Sequence, residues 1–480
     1  MKPRHCFPIA LLAACCSFAV PSVSAKTFDT ASADRSRLSL TVYEQGQTLV
    51  RDARHVQTGS GRFNLVVHDV SEQIQSETLM LESNSRLRLS GATFNSSLLT
   101  PENLMKAYIG KDVTLIRTNP ATGQEIQRRA KLLSMSGGAI VQVDGHIETV
   151  STDRIVFDKV PSGLYPSPVL MLDLQGGSGG SQHVVFDYLT GGLSWNADYT
   201  AVIELGDRSM SLASWAVIGN QSGVDYRDAT VQLMVGRQNQ VYRHMPMMAM
   251  MKASRAATEN MMVNDTASEA SFADYHLYTL PEKVNVLNSQ TARYRLLSSD
   301  RVKVVKEYIV NGNAWAYQSS QGGASEPVHA GIWLNFSNTK HDGLGMPLPA
   351  GGIRFYQEDS SGNRQLIGAG NIQHTPVDGK VRLALGEAFD VMMVRKQTSF
   401  KQHVLEKGQE KIRQTVTGWE LTLANAENHA VTVKVVEPMP GNSRILDENQ
   451  THRTEDGTVV WAVTVPAHGK TVLRYRVQVN

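Results

Sequence analysis

Apolar and polar residues alternate with a period of two along most of the chain, most cleanly over residues 189–239. There Tyr199, Ala201, Ile203 and Leu205 fall on one face, and Leu212, Ser214, Ala216 and Ile218 alternate with Ser211, Ala213, Trp215 and Val217. Side chains two apart in a strand share a face, so this stretch predicts an antiparallel unit closed by turns at residues 191–192 and 220–223. Trp195, Tyr199 and Trp215 are expected to anchor it by burial, each contributing about 2–3 kcal/mol.

The same period governs the rest. Residues 39–95 read as short strands, with Gly46, Gly59, Gly61 and Gly91 where turns are wanted. Thr100 and Pro101 give the clearest helix start, an N-cap followed by proline at the first helical position, and Gly110 stops that helix early. Residues 111–160 then hold five strand candidates broken at Asn119-Pro120, Gly137-Gly138 and Asp144-Gly145, a spacing that suits a small SH3-like barrel. Past residue 275 the strands resume, with a hairpin turning at residues 360–363. From residue 382 to the end, alternation through Val431, Val433 and Val435, and through Leu473, Tyr475, Val477 and Val479, predicts a sandwich.

The expected class is therefore all-β and multidomain, β-sandwich domains with a small SH3-like barrel and very little helix. The expected partition is a targeting segment at 1–25, an N-terminal β-domain at 26–175 with the barrel inserted near 100–160, a central β-domain at 176–380, and a C-terminal sandwich-like domain at 381–480.

Several of these residues form a recurrent set. Leu193, Trp195, Ala197 and Tyr199 alternate; Trp215, Asn220, Ser222 and Gly223 follow, then Ala229, Leu233 and Gly236, Tyr275-His276-Leu277-Tyr278, and Gly386 with Ala388-Phe389-Asp390. This set resembles the core signature of the bacterial family catalogued as domain of unknown function 4139, which includes mucoidy-inhibitor-like proteins. The resemblance covers most of the chain after its first residues. It implies an all-β envelope protein and brings no established activity.

The N-terminus adds a location. Lys2 and Arg4 precede a largely apolar run from residue 7 to 20, and Val23-Ser24-Ala25 has the small-residue form of a cleavage site, so a signal peptide cut after Ala25 is expected. The alternative is a lipoprotein anchored at Cys15, since Leu12-Ala13-Ala14-Cys15 has lipobox form. The apolar run is shorter than a spanning helix needs, and no transmembrane segment is expected after it. Cys6, Cys15 and Cys16 all precede Lys26, so a chain cut there carries no disulfide and no thiolate site.

Charge and motifs then narrow the function. With 47 basic and 45 acidic residues, loss of Lys2 and Arg4 leaves 45 of each, which gives no reason to expect nucleic acid as a partner. Gly176-Gly177-Ser178-Gly179-Gly180 matches the letters of the G-x-S-x-G elbow, but an elbow needs a helix after its serine and strand follows here, so a hairpin turn is expected. Glu358 and Asp359 are expected to be solvated turn residues, and His452 among Asp447, Glu448, Glu455 and Asp456 a solvated loop. No catalytic set, cofactor site or zinc motif stands out.

One segment breaks the period. Residues 241–273 are rich in methionine, alanine, serine and threonine. His244, Met245, Met247, Met248, Met250 and Met251 offer an imidazole and thioethers suited to Cu(I), while a low-complexity surface insertion accounts for the same composition. The expected function is an exported envelope binding or scaffold protein, acting through sheet surfaces on an envelope protein or glycan. Peripheral membrane association is compatible with it. Periplasmic copper binding and an envelope hydrolase with a site assembled only in the fold are the alternatives.

Overall fold

The computed structural model describes residues 25–84, 86–135, 138–236, 268–272, 275–407, 410–455 and 457–479. The chain divides into two compact units, one of residues 1–37 and 51–188 and one of residues 38–50 and 189–480. Strand dominates both, as the alternation predicts.

The first unit contains β1 (Lys26–Thr30), most of β3 (Thr48–Val67), β4 (Ile74–Ser83), β5 (Arg88–Asn95) and most of β11 (Val169–Thr190), with the start of β2 (Arg35–Tyr43). β3, β11 and β4 are neighbours in one sheet, with β1 parallel to β3 and β5 antiparallel to β11. Arg54 is fully buried there. It donates to Asp52 Oδ2 at 2.8 Å and to the carbonyls of Thr30 and His68, and Arg35 donates to both oxygens of Asp52 at 2.9 Å. Burial pushes the Asp52 carboxyl up, and the two guanidinium groups outweigh it, holding it below the usual carboxylate range.

Two expectations about glycine are corrected. Gly59 and Gly61 lie inside β3, Gly91 inside β5, and residues 176–180 inside β11, so none of these stretches is a turn. A Cβ on Gly177 would stand 2.9 Å from Leu87 Cδ2, one on Gly59 would stand 3.2 Å from the Phe28 ring, and Thr58 Oγ1 donates to the Gly180 carbonyl at 3.1 Å. These glycines permit close approach and positive φ within continuous strands, which is the bulge use of glycine. No helix follows Ser178, so the nucleophile elbow is absent.

Also in this unit, α1 (Pro101–Tyr108) starts as expected, Thr100 Oγ1 accepting from the Asn103 amide at 3.1 Å. Five strands follow: β6 (Asp112–Thr118), β7 (Glu125–Ser134), β8 (Ala139–Val143), β9 (His146–Val150) and β10 (Ile155–Val156). They are the strands expected of the SH3-like element, in the order β10-β6-β7-β8-β9. The sheet is open, since β10 and β9 are its two edges. Met105 and Tyr108 of α1 join Val113, Leu115, Leu132 and Val141 in its core.

After residues 38–50, the second unit resumes with the hairpin that the sequence marks most clearly. β12 (Leu193–Ile203) and β13 (Ser209–Asn220) pair antiparallel from Leu193 opposite Asn220 to Ile203 opposite Met210. Trp195 and Tyr199 are buried as expected, and Leu212, Ala216 and Ile218 are buried with them. Leu205 lies past the end of β12 and is 85% exposed, and Trp215 points to the outer face, so neither anchors the core.

β14 (Tyr226–Val235) runs parallel to residues 39–43 and pairs with β16 (Tyr275–Thr279), which pairs in turn with β15 (Ser268–Phe272); β17 (Val284–Val286) also pairs with β14. β18 (Gln290–Lys303) flanks β13. The chain continues through β19 (Val305–Asn311), β20 (Val328–Ser337), β21 (Gly351–Glu358) and β22 (Arg364–Ile372), giving a five-stranded sheet β18-β13-β12-β21-β22.

The last strands are β23 (Lys380–Lys407), β24 (Glu410–Asn425), β25 (Val431–Glu437), β26 (Ser443–Glu448), β27 (Arg453–Glu455), β28 (Thr458–Val465) and β29 (Gly469–Val479). With β19 and β20 they form a nine-stranded sheet, β26-β29-β24-β23-β20-β19-β25-β28-β27. This sheet folds over on itself. Trp461 of β28 stacks on Tyr475 of β29 at 4.5 Å although five strands lie between β28 and β29 in the order, and both sit in one core with Trp419, Val433 and Val463. A sandwich is thus made from a single sheet, and residues 305–337 belong to it.

Candidate functional site

Folding the nine-stranded sheet over its core leaves its other face outward. In β19 the even positions Tyr308 and Val310 enter the core, so Val305, Glu307, Ile309 and Asn311 face out. Trp333, Asn335 and Ser337 of β20, Lys380 and Arg382 of β23, Lys434 and Val436 of β25, Thr458 and Val460 of β28 and Glu455 of β27 join them. Together they line a groove of about 670 Å³ crossing six strands.

The groove mixes charged and apolar side chains, with Trp333 and Phe336 as its aromatics. The Arg382 guanidinium lies 4.5 Å from the Trp333 ring centroid, a cation–π contact that holds both side chains in place. Lys434 donates to Glu307, and Asn335 also bonds it. Burial pushes the Glu307 carboxyl up, but Lys434 and Asn335 prevail and keep it below the ordinary range, so it is an anion at neutral pH. Asp342 accepts from Thr339 Oγ1 at 2.9 Å. Lys303 and Lys380 make no ion pair among the described residues. Four cations therefore face three carboxylates, with two of the cations free. The lining can hydrogen-bond a polar chain, hold its charges of either sign and lay an apolar segment against Trp333.

The residues singled out from the sequence fall elsewhere. His244, Met245, Met247, Met248, Met250 and Met251 lie outside the described residues, as do Cys15 and all the targeting segment before Ala25. Glu358 and Asp359 close the β21–β22 turn: Glu358 pairs with Arg364, and Asp359 accepts from the amides of Ser361 and Asn363 at 2.9 Å. His452 Nδ1 contacts Glu448 Oε2 at 2.9 Å, and that oxygen also accepts from Trp461 Nε1 at 2.8 Å, so Glu448 ties a loop to the core. No group of three or more possible metal ligands occurs among the described residues.

The groove itself was not legible, because its lining comes from six strands spread over more than 150 residues. One signal was present: Trp333 and Asn335 share a face in a strand whose other face is apolar.

Fold and groove together define an almost entirely β, multidomain protein with a mixed charged and apolar groove on a sheet face. The chain belongs to the family described as Domain of unknown function (DUF4139), which matches it over residues 184–480, more than half of its length and including the whole groove. No curated protein matches it.

Proposed function

We propose that this is an exported binding or scaffold protein of the cell envelope, and that the groove on the nine-stranded sheet is where it holds an envelope component. The groove carries the reading: a concave, mixed-charge surface with a fixed Trp333–Arg382 pair, set on strands rather than on loops. Strands hold side chains to a defined spacing, about 4.8 Å between neighbours, so such a surface can select one arrangement of charges and hydrogen bonds. Export rests on the targeting segment, read from Lys2, Arg4 and Val23-Ser24-Ala25.

The test compares envelope components that co-purify with the natural chain and with the double variant Trp333→Ala, Arg382→Glu. The variant keeps its circular dichroism spectrum, since both side chains face outward, and loses one component that the natural chain retains. Identical sets from the two chains would refute the groove as the site.

A further inference from the structure

The outer face of the five-stranded sheet carries a second surface with its own chemistry. Because Leu212, Ala216 and Ile218 point inward, Trp215 and Val217 point outward. Trp215 stands opposite Arg295 on β18, and Val217 opposite Arg293. The two guanidinium carbons lie 5.3 Å and 4.7 Å from the Trp215 ring centroid, so both arginines stack on one indole.

On the other side of Trp215 stands Asp198 of β12, its register partner. Asp198 is largely covered, and it accepts from Arg354 of β21 at 2.6 Å and from Arg293 at 3.4 Å. Two arginines therefore share one carboxylate, and with Arg295 beside them the strip keeps a net charge of +2. Arg295 has no carboxylate partner among the described residues.

We propose that this strip docks an acidic protein segment, whose carboxylates take the outward N–H edges of Arg295, Arg293 and Arg354. Charge complementarity and rigidity both favour this occupant. Stacking on Trp215 and pairing with Asp198 remove much of the rotamer freedom that an exposed arginine loses on binding. A guanidinium so held presents a fixed fork to a carboxylate, and tryptophan and arginine are the residues that carry most binding energy at protein interfaces. The strip spans four adjacent strands, roughly 15 Å at ordinary strand spacing, which several residues of an extended segment would cover. An anionic membrane is the weaker fit. Trp215 is capped by arginines instead of protruding toward acyl chains, and Asp198 at the centre repels lipid phosphate.

The strip and the groove share no residue, so each can fail alone. The probe is a fluorescein-labelled oligoglutamate peptide, followed by anisotropy with the full chain. The natural chain binds it and releases it as salt rises past about 0.15 M, whereas the oligoglutamine peptide stays free. Arg295→Glu weakens binding by about tenfold or more. Arg295→Lys, which keeps the charge and loses the planar stack, shows a smaller loss. The groove variant Trp333→Ala, Arg382→Glu binds the peptide as the natural chain does. Equal binding by Arg295→Glu, with its circular dichroism unchanged, overturns the proposal. So does binding to phosphatidylglycerol vesicles in place of the peptide.

Discussion

Three buried asparagines do the same work at the ends of three strands. Asn220, Asn338 and Asn425 each donate through Nδ2 to two or more backbone carbonyls of nearby turns and accept a backbone amide through Oδ1. Each is almost wholly buried, so its loss would leave turn carbonyls without partners. Asn425→Ala is expected to lower unfolding stability by about 2–4 kcal/mol, read from the urea midpoint at unchanged slope. A loss under about 0.5 kcal/mol would mean that water replaces the side chain. Gly312 offers a sharper case. A Cβ there would overlap the buried carboxylate of Glu437, which accepts from Tyr317 at 2.6 Å and pairs with Arg395, so Gly312→Ala should destabilise although its backbone needs no glycine.

Asp52 supplies a pH dependence. Its folded pKa lies below its unfolded value, so its contribution is complete above about pH 4 and is lost as pH falls through the folded pKa. Stability should therefore fall as pH drops below about 4, and Asp52→Asn, though less stable throughout, should fall less steeply. Parallel curves for the two chains would remove Asp52 from the account.

At the scale of elements, legibility followed from whether a residue pattern reports on one strand or on several. The β12–β13 hairpin, α1 and the C-terminal strands were legible because Tyr199, the Thr100 cap and Val431-x-Val433 each satisfy a purely local rule. Gly59 and Gly177 misled because glycine serves turns and close strand approaches alike, and only the positions of Phe28 and Leu87 decide between them. Trp215 misled because size argues for burial, while two arginines from another strand can cover an outward indole.

The β23–β24 hairpin shows how pairing sets local stability. Residues 415–425 of β24 pair with β29 on their other side, whereas among the described residues 403–407 and 410–414 pair only with each other. A two-stranded ribbon is marginal in water. Amides of residues 403–407 should therefore exchange at least about 100-fold faster than those of residues 419–423. Equal protection would indicate that the ribbon is covered in solution.

At the scale of the whole molecule, net charge near zero hides local order. The 47 basic and 45 acidic residues cancel, yet free lysines line one face of the nine-stranded sheet and arginines one face of the five-stranded sheet. Both surfaces lie in the part that the family covers, so any activity that the family holds in common can reside there.

The central claim is that the groove holds an envelope component, and site-specific photo-crosslinking in the cell tests it most directly. A photoreactive residue replaces Asn335 in one strain, Thr458 across the groove in a second, and Ile147, an exposed strand residue of the first unit, in a third. The account predicts one and the same adduct from Asn335 and Thr458, absent from Ile147 and abolished by Arg382→Glu. No adduct from the groove positions, or the same adducts from all three, would contradict it.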